Sequence, residues 1–355
     1  VVGQRIRDVR ASLERSGDDG LVDVQAEASE GAISIPRDLR GGSPVVLDMR
    51  KLHLLEADPE ASSDADPTAF PPLRVRAASF ALGDRDFGAL DATIDKVADG
   101  LEVSRIATAA PAFRIEGNGA WRLAPGVEAG SRTVLTAELT STDVKRMMNS
   151  LGYEPGINAA ELEGAFDVAW DGGPSETFVA SLDGDVSVRI SNGTLDEVEP
   201  GAGRVVGLMS VAELPRRLAL DFRDVFQKGF NFDEIVGDFR LVNGDAFTCN
   251  LRLAGPSADV ALIGRASLER RNYNQTAVGV KVGNTLPAVG AVVAGPQVGA
   301  ALLLFSQIFK KPLQGMTQVY YQINGSWDAP GIERTDAERF VATSELAGCA
   351  VETGG

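Results

Sequence analysis

Alternation with a period of two residues is what most restricts the folds open to this chain. In ELEGAFDVAW, Leu162, Phe166, Val168 and Trp170 share one parity with Gly164, while Glu161, Glu163 and Asp167 take the other. Successive side chains of a strand point to opposite faces, so such a segment buries one face and wets the other. FVASLDGDVSVRI repeats the pattern, with Phe178, Leu182, Val186, Val188 and Ile190 set against Ser181, Asp183, Asp185 and Arg189. It returns in FRIEGNGAWRL (Phe113, Ile115), IVGDFRL (Ile235, Phe239, Leu241), FTCNLRL (Phe247, Cys249, Leu251, Leu253) and VALIGRASL (Val260, Leu262, Leu268). Turns such as NGD and DGG join these runs, which predicts antiparallel strands with one solvated face.

Alternation alone fits an ordinary β-sandwich. A repeat favours something longer. Each of the three tryptophans ends a similar strand: FRIEGNGAWRLAP with Trp121, LEGAFDVAWDGGP with Trp170 and YQINGSWDAP with Trp327. Each shares its parity with a glycine (Gly119, Gly164, Gly325) and is soon followed by a proline. Glycine inside a strand lets the sheet bend or lets another backbone come close. Aromatics make up only 6% of the chain and glycines number 39, which suits many short strands better than a thick aromatic core. The expected fold is mainly β: a long curved antiparallel sheet with an apolar groove and a few short helices near its C-terminal end.

Helical signals are sparse. Ser141 or Thr142 is placed to cap DVKRMMNSL, which Gly152 ends. A second helix is expected from Gly203 to Pro215, and the opening VVGQRIRDVRASLERS reads as an amphipathic helix entered within a longer protein. EADPEASSDADPTAFPP, with five acids, no base and four prolines, reads as a solvated loop. The tail after residue 333 has weak periodicity and is expected to be flexible. The domain reading is therefore 1–139 as a β-groove segment with an N-terminal helix, 140–333 as a second β-groove region, and 334–355 as a tail.

Composition removes several classes of function. A formal charge of −16 repels phosphate backbones, so nucleic acid is not an expected partner. Cys249 and Cys349 stand a hundred positions apart and in no metal spacing, so zinc and thiol redox chemistry lack their usual ligands. The one histidine, His53, alternates with Leu52 and Leu54 as a strand residue, and no G-x-S-x-G elbow accompanies it. Asp183 and Asp185 would be the carboxylate pair of a glycan hydrolase, but they alternate with apolar residues and read as outer-face solvation. No enzyme, metal or cofactor is expected.

DVKRMMNSLGYEPGINAAELEGAFDVAWDGGP resembles the helix-then-strand signature of the AsmA-like superfamily. The run from LDGDVSVRISNGTLDEVEP through DVALIGRASL resembles the C-terminal region of the YhdP family, and the likeness covers residues 140 to 333. It implies a periplasmic protein, anchored to the inner membrane by an N-terminal segment outside this chain. Such a protein would conduct phospholipid toward the outer membrane along a β-groove, with acyl chains as the bound species. The expected groove residues are Phe113 and Ile115; Leu162, Phe166 and Val168; Val186, Val188 and Ile190; Phe239 and Leu241; Leu251 and Leu253; Val260 and Leu262. The rival reading is an assembly factor for outer-membrane biogenesis that acts through its sheet edges.

NTLPAVGAVVAGPQVGAALLLFSQIF, residues 284–309, carries no charged side chain. As one helix its 26 residues would span about 39 Å, enough for a bilayer. Gly290, Gly295, Pro296 and Gly299 break it into two halves, and Lys310, Lys311 and Pro312 end the second. Three readings stay open: a membrane span, a helical cap in the groove's end, or shallow insertion into a leaflet. The membrane-contact or cap candidates are Val289, Val292, Leu302, Leu303, Leu304, Phe305, Ile308 and Phe309.

Overall fold

The computed structural model describes residues 10–16, 19–39, 42–54, 65–153, 156–174, 176–195, 230–281, 306–309 and 318–349. Among these residues, seventeen strands belong to one hydrogen-bonded sheet. They are β1 (Arg10–Ser16), β2 (Asp19–Gln25), β3 (Ser29–Ile35), β4 (Val45–Leu54), β5 (Leu73–Leu82), β6 (Arg85–Val97), β7 (Gly100–Ala109), β8 (Phe113–Leu123) and β9 (Ser131–Ser141). Then follow β10 (Ile157–Asp171), β11 (Asp183–Leu195), β12 (Phe230–Val242), β13 (Asp245–Ala254), β14 (Ala258–Ser267), β15 (Asn272–Lys281), β16 (Gln318–Ser326) and β17 (Pro330–Thr335). Helix α1 is Val144–Ser150 and helix α2 is Ala337–Leu346.

Each strand from β1 to β9 pairs with the next in sequence. The order continues through β9–β10, β10–β11 and β11–β12, then from β12 to β17. The expected mainly-β antiparallel sheet is therefore present, although β4 and β5 run parallel. Residues 55–72 connect them, a crossover long enough for parallel pairing, which needs a dozen residues or more. The chain divides into two compact units. The first comprises Val1–Ser141, Arg146–Gly152 and Ala165–Gly184; the second comprises Thr142–Lys145, Tyr153–Gly164 and Asp185–Gly355.

In the first unit the strands are wet on one face. Met49, Leu52, Val75, Ala77, Leu90 and Ala92 form a buried cluster, with Ile33, Leu47, Leu73 and Ile106 half-buried against it. The opposite face carries cross-strand ion pairs, because residues directly opposed on neighbouring strands share a face and opposite charges there attract. Arg50 pairs with Glu30 at 2.6 Å, Arg74 with Asp95 at 2.6 Å, and Asp91 lies between Arg76 at 3.4 Å and Arg105 at 3.5 Å. Gly119 on β8 permits close pairing with β9, since a Cβ there would lie 2.4 Å from the Val134 carbonyl oxygen.

In the second unit β14 and β15 are dry on both faces. Val260, Leu262 and Ala266 take one parity, and Ala261 and Ile263 the other, all buried. The first set meets Leu253, Leu251 and Ala246 of β13 across the ladder. The second set belongs to a cluster with Val278, Val280, Phe309 and, from α2, Ala337 and Phe340. A strand covered on both sides reads as a continuous apolar run, as VALI does, and the one-sided expectation fails for β14.

Other expectations also change. Arg10–Ser16 is a strand paired to β2, with Leu13 in register with Val22, and not part of an opening helix. Glu176–Ser181 is a 3₁₀ turn, so Phe178 is not a strand residue; its ring packs 5.1 Å from that of Trp170. The acidic loop is partly built in: Asp66 caps a 3₁₀ turn at Pro67–Ala69, Pro67 is buried, and Phe70 meets Trp121 at 5.6 Å. The tail contains the end of β17 and helix α2 rather than only flexible chain. Helix α1 forms where expected, and the Ser141 hydroxyl donates to the Ala112 carbonyl at 2.8 Å. The expected helix at 203–215 and residues 1–9 lie outside the described residues.

Candidate functional site

The candidate site is the apolar face of the sheet, built by register. In the first unit Ile115 of β8 opposes Thr108 of β7 and Leu139 of β9, while Ile106 opposes Ala92. Leu90, Ala77 and Met49 continue the row through β6, β5 and β4. Residues paired across a ladder share a face, so these side chains form one apolar surface. Ile33, Leu47, Leu73, Ile94, Ile106, Ile115, Leu135 and Leu139 on it are only half-buried, which leaves that face within reach of an apolar ligand.

The corresponding face of the second unit is closed. Ile235 pairs with Leu253, Leu251 with Leu262, and Leu253 with Val260. None of Leu251, Leu253, Leu262 and Ile323 is more than 2% exposed. Phe239 and Leu241 are buried there too, as are Leu162 and Ile190 elsewhere in the unit, whereas Val188 is half-buried. In the first unit Phe113 and Val168 are buried and Phe166 is half-buried. Val186 is buried in the second.

The register of β13 corrects the parity reading of FTCNLRL. One extra residue sits at Cys249–Asn250, as the ladder shifts between Thr248 and Leu251 show. Thr248 and Leu251 thereby share the inner face, and Phe247 and Cys249 turn to the other. There Cys249 forms a disulfide with Cys349, with Cα atoms 5.4 Å apart. Neither the bulge nor the bond was legible in the sequence, since a bulge leaves no mark in alternation except a parity slip. At the bulge Asn250 Nδ2 donates to Asp238 Oδ2 at 2.6 Å.

Of the membrane-contact candidates, Val289, Val292, Leu302, Leu303, Leu304 and Phe305 lie outside the described residues. Ile308 and Phe309 pack with Phe340 over Ala261 and Ile263, on the face opposite Val260 and Leu262. No helix among the described residues is long and apolar enough to cross a membrane.

In the first unit, ion-paired side chains line the face opposite the apolar one. The hydrogen bond from Arg74 and a second from Ser104 keep Asp95 below its ordinary pKa. Burial opposes ionisation of Asp245, but the Ser267 hydroxyl, Arg265 and Arg270 outweigh it and hold the carboxyl low. Burial pushes the Tyr320 hydroxyl up to about 12. His53 is lowered, first by burial and then by Lys51, and its Nε2 lies 3.1 Å from the Ser79 hydroxyl. Asp183 shares Arg132 with Asp171 at 3.2 and 2.5 Å, the arrangement of a structural ion pair. Among the described residues no group of three His, Cys, Asp or Glu side chains could hold a metal ion.

Serially paired strands in one sheet, with an apolar face and a charged face in the first unit, define a mainly-β groove-type class. The chain belongs to the YhdP family: the family model described as YhdP protein matches residues 1–332, well beyond the 140–333 over which the resemblance was legible. It is similar to the intermembrane phospholipid transporter YhdP of Escherichia coli (strain K12), with 26% identity over 323 residues, 87% of this chain. The chain spans about a quarter of that relative's length, 25%. No solved structure matches it.

Proposed function

We propose that this chain carries phospholipid between membranes by holding acyl chains on the apolar face of its sheet, without catalysis. The observation that carries this reading is the half-buried apolar surface of the first unit, set back to back with a face of cross-strand ion pairs. Each methylene removed from water contributes about 0.8 kcal/mol, so a continuous apolar surface can hold an acyl chain without a specific pocket. The headgroup stays hydrated at the margin and needs no dedicated ligands. The transporter similar to this chain supports phospholipid as the cargo. The Cys249–Cys349 disulfide supports the periplasm as its place, because such bonds persist in oxidising compartments. Anchorage at the inner membrane and delivery at the outer membrane complete the proposal.

The test is site-specific photo-crosslinking on β8. Ile115 faces the apolar side, and Glu116, its neighbour, is exposed on the other. A photoreactive side chain at 115 is expected to capture phospholipid, and one at 116 is not. Equal capture at the two positions overturns the proposal.

A further inference from the structure

The outer face of β14–β16 differs chemically from the charged outer face of the first unit. It presents Ala261, Ile263, Val278 and Val280, all buried, under α2 and Phe309. Helix α2 has only 10 residues, and an isolated helix shorter than about 12–15 residues is marginal in water. Three kinds of contact keep it down. Phe340 is fully buried, with its ring 5.8 Å from that of Tyr320. A polar row lies beneath the helix: Thr343 Oγ1 is 2.7 Å from Thr276 Oγ1, and Arg339 Nε donates to Gln322 Oε1 at 3.1 Å. The third contact is covalent. Asp336 caps the helix at the Arg339 amide, and Gly348 ends it at φ 71 with the Cys349 amide donating to Ser344, which aims Cys349 back at β13.

We infer that the Cys249–Cys349 disulfide is a redox lock on α2: oxidised, it fixes the helix over the outer face of β14–β16; reduced, it lets the helix lift and bares the part of that face under Ala337 and Phe340. The polar row favours this behaviour over permanent burial. Thr343, Arg339, Thr276 and Gln322 can exchange their mutual hydrogen bonds for water when the helix leaves, so the cost of separation lies in the apolar contacts of Ala337, Phe340 and Val341 with the sheet, which the covalent bond reinforces. Opening takes one dithiol reductant. Its thiolate attacks one sulfur of the bond to give a mixed disulfide, and its second thiol displaces the chain's sulfur. The chain is left with two thiols and the reductant departs as a disulfide, two electrons and two protons having passed to the cysteine pair. This inference does not depend on whether the inner face carries lipid.

Hydrogen exchange read by mass spectrometry tests it on the whole chain, oxidised, treated with dithiothreitol, and as the Cys249→Ser/Cys349→Ser variant. Reduction is expected to speed exchange of the α2 amides at least tenfold while β13, β14 and β15 keep their protection. The double variant is expected to match the reduced protein. Unchanged protection of α2 after reduction overturns the lock, because packing alone then holds the helix. Joint loss of protection in α2 and the strands also overturns it, because the bond is then a staple of the whole core. If the double variant does not fold, the reduction of folded protein still decides.

Discussion

The two units use one ladder chemistry to different ends. In the first, Leu47, Ile106, Ile115 and Leu139 stay half-buried while Arg50, Arg76 and Arg105 form ion pairs on the opposite face. In the second, β14 is dry on both faces and its far side is closed by α2 and a disulfide. An apolar residue that stays partly exposed contributes less to stability than a buried one but remains available to a ligand. The first unit therefore has the character of a binding surface, and the second that of a stable core.

A buried charge separates these roles most sharply. Leu262→Asp places a carboxylate between two covered faces, and it should destabilise the second unit by more than about 4 kcal/mol or prevent its folding. Leu139→Asp in the first unit should cost only about 1 kcal/mol, because the new carboxylate can reach water. It should nonetheless abolish lipid capture at Ile115. Denaturant titration followed by circular dichroism reads the first difference and crosslinking reads the second. Similar destabilisation at both positions would erase the distinction between surface and core.

This contrast was only partly legible in the sequence. Strand type was plain, because a period of two has a direct physical cause in the pleat. The inner-face positions in β12 and β14 followed from it, and so did Leu251 and Leu253. The first unit's face was harder to read. Its ladders shift at Thr93/Ile94 and Val103/Ile106, and a one-residue shift sends every later side chain to the opposite face. Cys249 was misplaced for the same reason. The cover on β14 was invisible because α2 reaches it from 70 or more residues away, and periodicity records only local partners. The continuous run Val260–Ile263 was the one hint that both sides would be dry.

Loss of the disulfide comes next in size. The bond closes a span of 100 residues, for which the chain-entropy view gives about 4.7 kcal/mol, with removals from small secreted domains typically costing about 2–5. The Cys249→Ser/Cys349→Ser variant should lower the second unit's denaturation midpoint accordingly. The first unit, which holds neither cysteine, should unfold at its usual midpoint. Chain-wide destabilisation of equal size would show that the units do not unfold separately.

Acid should act on the second unit through Asp245. Its folded pKa lies below the ordinary 3.8, held there by Ser267, Arg265 and Arg270 against the opposing effect of burial. A depressed carboxyl contributes stability that is complete above the unfolded pKa and is lost as pH falls through the folded one. Denaturant midpoints should therefore drop below pH ~3.8. Asp245→Asn should remove that part of the pH dependence and cost about 1 kcal/mol at neutral pH. A midpoint that keeps the full acid sensitivity in Asp245→Asn would assign it to other carboxylates.

The smallest expected effect belongs to the charged face of the first unit. Arg76 is 81% exposed and Arg105 62%, each reaching Asp91 from a neighbouring strand at about 3.5 Å. Pairs this exposed gain little, because water screens the attraction and two long side chains lose freedom in making it. Arg76→Ala should change stability by less than about 0.5 kcal/mol, and it should leave lipid capture at Ile115 untouched because the two side chains lie on opposite faces. Both measurements belong on the same variant. A loss above about 1 kcal/mol would mean that the ion-paired row braces the strands. A change in capture with stability intact would mean that ligand also meets the charged face, and the one-sided reading of the first unit would have to be given up.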